Sequence, residues 1–174
     1  IYIFFFLFTT GIFSQTAVIT SIDAKCKGEN NGIIDIINAE LGLPPYQYSI
    51  DGGLTWQPSG YFPNVTAGTY DIWIEDFDGP PIQLNPAYII NEPASALTAS
   101  ITAQTNISCF AGSNGEATVT ALGGTGAYTY LWNDPAPAQT TNIATTLTVG
   151  TWDVTVTDAN GCTANASVVI TQPI

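Results

Sequence analysis

The chain has 174 residues, 45% of them apolar and 11% aromatic, enough to build packed cores, and sets two basic residues against fourteen acidic ones, a formal net charge of −12. That sign excludes nucleic acid and anionic membrane surfaces, whose recognition depends on neutralising phosphate. Histidine is absent, which removes the commonest general base and metal ligand and leaves no serine or threonine with an activating imidazole.

Residues 1–15 open with an apolar run, Ile1-Tyr-Ile-Phe-Phe-Phe-Leu-Phe8, followed by Thr9 to Gln15. The run reads as the remnant of a secretory signal peptide processed near Ser14 or Gln15, being too short for the roughly 20 residues that span a bilayer. The alternative is a retained apolar strand that completes a neighbouring sandwich by strand addition, building an extracellular fibre.

The remainder repeats itself, 16–93 against 94–174. Cys26-Lys-Gly-Glu-Asn-Asn-Gly32 is answered by Cys109-Phe-Ala-Gly-Ser-Asn-Gly115, and Pro45-Tyr-Gln-Tyr-Ser-Ile50 by Ala127-Tyr-Thr-Tyr-Leu-Trp132. Ala67-Gly-Thr-Tyr-Asp-Ile-Trp-Ile-Glu-Asp76 is answered by Val149-Gly-Thr-Trp-Asp-Val-Thr-Val-Thr-Asp158, and Ile89-Ile-Asn-Glu-Pro93 by Val169-Ile-Thr-Gln-Pro173. Four blocks in one order at a nearly constant offset define two homologous modules. The period inside the blocks is two: Trp152, Val154 and Val156 alternate with Thr151, Asp153 and Thr155, the pattern of an antiparallel strand with one face on a core. Asn31-Gly32, Asp51-Gly52-Gly53, Gly123-Gly124 and Asn160-Gly161 supply turns. Many short strands between such turns predict an all-β sandwich of about seven strands in each module.

Three cysteines make an odd set. Cys109 opens the second module and Cys162 follows the turn Asp158-Ala-Asn-Gly161, so a bond between them would staple the first strand region to the last hairpin, worth about 4 kcal/mol by chain entropy. The first module carries Pro80 where the second cysteine should stand, which leaves Cys26 free or bonded to another chain.

The pattern Cys-x-Gly-x-x-x-Gly, Pro-Tyr-x-Tyr-Ser-x-Asp-Gly-Gly-x-Thr, Ala-Gly-Thr-Tyr and Val-x-Asp-Ala-Asn-Gly-Cys resembles the SprB repeat, a module of bacterial surface adhesins. The resemblance implies two tandem immunoglobulin-like antiparallel β-sandwich domains and a secreted, cell-surface setting. Its partners would be neighbouring repeats or subunits. Pro80 and the turn Phe77-Asp-Gly-Pro-Pro81 depart from the pattern.

Chemistry is sparse. Glu75 and Asp76 are adjacent on a strand and face opposite ways, so they cannot serve one substrate as a carboxylate pair. Asp76 and Asp78, with Asp51 and Asp71 as neighbours in the fold, are candidate calcium ligands, although aspartate is also a preferred turn residue. Trp73, placed on the polar face of its strand, with Trp56 and Tyr61 beside turns, are candidate ring platforms for surface glycans or proteins. The expectation is a non-enzymatic stalk or spacer that needs no cofactor, with no membrane span in the mature chain.

Overall fold

The structure is a computed structural model that describes residues 16–40, 42–134 and 137–174. The apolar start, read above as signal remnant or donor strand, lies outside the described residues. Every regular element among the described residues is a strand. In the first module these are β1 (Thr16–Ile22), β2 (Gly32–Glu40), β3 (Gln47–Ser49), β4 (Tyr61–Val65), β5 (Gly68–Glu75) and β6 (Ile82–Ile90). The second has β7 (Thr98–Thr105), β8 (Gly115–Leu122), β9 (Thr129–Trp132), β10 (Ile143–Leu147), β11 (Gly150–Thr157) and β12 (Thr163–Ile170). Among the described residues each module has six strands where about seven are predicted, and the first module shows a reason. The stretch between β3 and β4 is spent on the turn around Asp51 and its own hydrogen bonds, leaving no run of alternating residues for another strand.

Each module pairs its strands antiparallel into two three-stranded sheets, β1-β2-β4 with β3-β5-β6, and β7-β8-β10 with β9-β11-β12. Lettered in chain order without a D strand, these are sheets ABE and CFG, the immunoglobulin strand order. The period-two alternation turns one face of each sheet inward. Ile34, Ile36, Val65, Ile72, Ile74 and Ile90 form the first core. Ala117, Val119, Leu147, Val154, Val156 and Ile170 occupy the repeated positions in the second. Each fully buried aliphatic side chain contributes about 1.5–3 kcal/mol.

Two further immunoglobulin features recur. Trp132 on β9 is 1% exposed and donates its indole N–H to the Thr141 carbonyl at 2.9 Å, so a large ring fills the second core without an orphaned donor. Where β5 begins, the Tyr70 hydroxyl donates back to the Thr66 carbonyl at 2.8 Å, the bond of a tyrosine corner. The second module makes the same corner with tryptophan, Trp152 Nε1 donating to the Thr148 carbonyl at 3.0 Å.

The chain divides into two compact units, but not at the linker alone. The second unit comprises Asn91–Ile174 together with Asp23–Asn31, the turn between β1 and β2, while the first keeps Gly32–Ile90 and the described residues before 23.

Candidate functional site

The best-organised site is the cysteine clamp of the second unit. Cys26 and Cys162 form a disulfide with an S–S distance of 2.05 Å and Cα atoms 5.8 Å apart, and Cys109 is an exposed free thiol. This corrects the expected Cys109–Cys162 pair and the free Cys26. The reason is the length of a strand. Cys162 immediately precedes β12, whereas Cys109 lies in the loop fixed to Thr171 and Gln172, just past the end of β12. Eight residues at about 3.3 Å each separate the two places by roughly 25 Å, far beyond the ~7 Å that a disulfide allows between Cα atoms.

Two pieces of local structure hold the clamp. The first is the donor loop, 23–31. Ala24 N–H donates to the Asn91 carbonyl at 2.9 Å, and Asn91 N–H donates to Asp23 Oδ1 at 2.9 Å. Asn31 Oδ1 accepts from Lys25 N at 2.7 Å, and Glu92 Oε2 accepts from Gly28 N at 2.6 Å. Lys27 Nζ bonds the other oxygen of Glu92. The Lys27 bond, then that from Gly28, holds the Glu92 carboxyl below the ordinary carboxylate range.

The second is the acceptor turn, Asp158–Cys162. Asp158 is buried, and its Oδ1 accepts from Asn160 N and Cys162 N, each at 2.9 Å, while Oδ2 accepts from Thr125 N at 2.9 Å. The Thr125 bond foremost, against the opposing effect of burial, and then those of Cys162 and Asn160 hold its carboxyl below the ordinary value. Gly124, at φ +63°, makes room: a Cβ there would sit 2.5 Å from Asp158 Oδ2. Asn160 Nδ2 reaches across to the Lys25 carbonyl at 3.0 Å, so turn and loop are bonded beside the disulfide.

A depressed carboxyl stabilises the fold above its unfolded value, near 3.9, and that contribution fades as pH falls through the lower folded value. Asp158→Asn should cost about 1–3 kcal/mol at pH 7, since its amide cannot accept at all three N–H groups. The gap from the parent protein in urea unfolding should narrow below about pH 4; a constant gap from pH 7 to 2.5 would mean that the carboxylate charge is irrelevant.

The other predicted residues stay apart. Trp73 on β5 is half-buried, its ring N–H donating to Asp71 Oδ1 at 2.8 Å. Trp56 lies between β3 and β4 and donates to the Gly53 carbonyl at 3.0 Å. Tyr61, 47% exposed, begins β4 in the other sheet, so Trp73 and Tyr61 belong to opposite sheets of the sandwich. Asp76 Oδ1 accepts from Gly79 N at 2.6 Å and Asp78 N at 3.3 Å, and Oδ2 accepts from Leu43 N at 2.9 Å. This is the counterpart of the Asp158 turn, one module earlier. Partial burial pushes the Asp51 carboxyl up, and bonds from Thr55, Ser49 and Leu54 outweigh it to leave it below its ordinary value. Among the described residues no three His, Cys, Asp or Glu side chains gather at one point where a metal would bind, and no helix is long and apolar enough to cross a membrane.

Asp158, Asn160 and Asn31 read from sequence only as turn residues, and neither their part in the clamp nor that of Glu92 or Asn114 was read there. The signal was there for Asn31 and Asn114, because asparagine before glycine recurs in both modules.

The SprB repeat family model matches residues 18–55 and 101–137. No curated protein sequence matches the chain. Among solved structures, the C-terminal 282-residue fragment of intimin, in complex with the translocated intimin receptor's intimin-binding domain, is 15% identical with a TM-score of 0.47. That alignment covers 90% of this chain and 64% of the fragment, so the chain spans less than two thirds of the fragment's length. Murine CEACAM1b is 11% identical with a TM-score of 0.35, over 91% of this chain and 100% of that one.

Proposed function

Since the chain carries two SprB repeats in sandwiches with the immunoglobulin strand order, we propose that it is a non-enzymatic, load-bearing spacer within a secreted cell-surface protein of the adhesin type. The observation that carries this reading is the covalent path through the Cys26–Cys162 bond. A pull between the two ends runs along β1 to Cys26, across the disulfide, and out along β12. The cysteines are 136 positions apart in sequence, so a stretch worth about 450–490 Å of extended chain is shielded from the load. Such a joint transmits force without lengthening, which a stalk requires, and it uses no cofactor.

Single-molecule stretching of the full chain from its ends tests this. Without reductant, unfolding should release only the short stretches outside the clamp. With reductant, about 450–490 Å more should appear. Full extension under oxidising conditions would remove the load-bearing reading. Saturable binding to a glycan or protein surface, abolished by Trp73→Ala, would replace it with a binding module.

A further inference from the structure

The loop around Cys109 repeats five hydrogen bonds of the loop around Cys26. Ile107 N–H donates to the Thr171 carbonyl at 3.0 Å, as Ala24 does to Asn91. Thr171 N–H donates to Asn106 Oδ1 at 3.0 Å, as Asn91 does to Asp23. Ser108 N–H donates to Asn114 Oδ1, as Lys25 does to Asn31. Ala111 N–H donates to Gln172 Oε1 at 3.0 Å, as Gly28 does to Glu92. Gly112 N–H closes on the Cys109 carbonyl, as Glu29 does on Cys26. One of these two matched loops carries its cysteine bonded to the turn Asp158–Cys162, and the other presents an exposed thiol beside Phe110, itself 73% exposed.

The acceptor side is just as regular. The turn at Asp76 keeps two of the three carboxylate bonds of the turn at Asp158, from Asp78 and Leu43 as from Asn160 and Thr125, and takes its third from Gly79, because Pro80, in place of the cysteine, has no N–H to donate. In this chain the opening cysteine of one module joins the closing cysteine of the module after it. Cys26 joins Cys162 in this way, and Cys109 is the next opening cysteine.

We propose that Cys109 is the donor thiol for a further SprB repeat, bonding the unpaired cysteine of that repeat's Asp-x-x-Gly-Cys turn, with Phe110 seated where Lys27 sits, against the counterparts of Ala96, Leu97 and Gly124. A second copy of this same chain is unsuited, because its Cys162 is already bonded. The step is an oxidation. Each Sγ–H loses its proton, the two sulfurs form one bond, and the two electrons and two protons pass to glutathione disulfide, which becomes two molecules of the thiol. The inference is independent of the load-bearing reading, since the bonds form whether or not the array carries force.

The test appends a second copy of residues 94–174 to the full chain, oxidises it with glutathione disulfide, and maps the cysteines by non-reducing peptide mass spectrometry with thiol labelling. The expected result is two bonds, Cys26–Cys162 and Cys109 to the appended copy of Cys162, with one label on the appended copy of Cys109. Cys109→Ser should free only the appended turn cysteine. Labels on both Cys109 and the appended turn cysteine, with Cys26–Cys162 formed, would overturn the proposal. A second protein avoids dependence on the appended module folding. It writes the Cys109 loop into the Cys26 position of the natural chain through Lys25→Ser, Lys27→Phe, Gly28→Ala, Glu29→Gly and Asn30→Ser. Cys26–Cys162 should still form to the parent extent; a labelled Cys162 would show that this loop is no donor.

Discussion

Cys26→Ser should leave two labelled thiols, at Cys109 and Cys162, with no new bond between them. The two sulfurs lie at opposite ends of β12, and the roughly 25 Å between them would close only by unfolding the CFG sheet of the second unit. The lost bond closes a loop spanning 136 positions, for which the chain-entropy model gives about 5 kcal/mol, with 2–5 kcal/mol the usual measured cost of removing a native disulfide. Urea unfolding should fall within that range for Cys26→Ser and for Cys162→Ser. Amide exchange should accelerate across 23–31, where hydrogen bonds to Asn91, Glu92 and Asn160 would then tie the loop without the covalent bond. Appearance of a Cys109–Cys162 bond at unchanged stability would mean that the within-module pairing is accessible after all.

Trp132→Ala should destabilise the second unit by about 3–5 kcal/mol, the usual range for emptying a core aromatic site. Trp132 is the largest fully buried side chain of the molecule as described, and its removal also leaves the Thr141 carbonyl without its donor. The corresponding residue of the first module is Ile50, half-buried, so Ile50→Ala should cost markedly less. Calorimetry should show the loss in one transition only. Equal losses for the two variants would contradict the unequal filling of the two cores.

The two modules, their all-β class and their inward-facing residues were legible in the sequence because strand periodicity and turn chemistry are local. Ile72, Ile74, Val154 and Val156 declare their face by alternating with polar neighbours, and Asn-Gly and Asp-Gly pairs mark where the chain must turn. The repeat then carried that reading from one module to the other. Cysteine pairing is of another kind. From the chain alone, Cys109 and Cys162 look like partners because they flank one module, and nothing local reveals that they sit at its two ends.

The roles of the polar side chains were hidden for the same reason. Asp76 reads as a turn residue or a calcium ligand and Asp158 as part of a turn, and only the folded positions of Leu43 and Thr125 identify them as acceptors that shape the acceptor turns. Trp73, Trp56 and Tyr61 read as one aromatic set until strand pairing placed Trp73 and Tyr61 in opposite sheets. The sequence by itself determined two all-β repeats without the residues of an imidazole-based catalyst, and its family resemblance implied the immunoglobulin-like class. The tertiary structure decided which cysteines meet, because a disulfide depends on a distance of a few ångströms between residues 136 positions apart, and that distance is set by how strands of fixed length are packed.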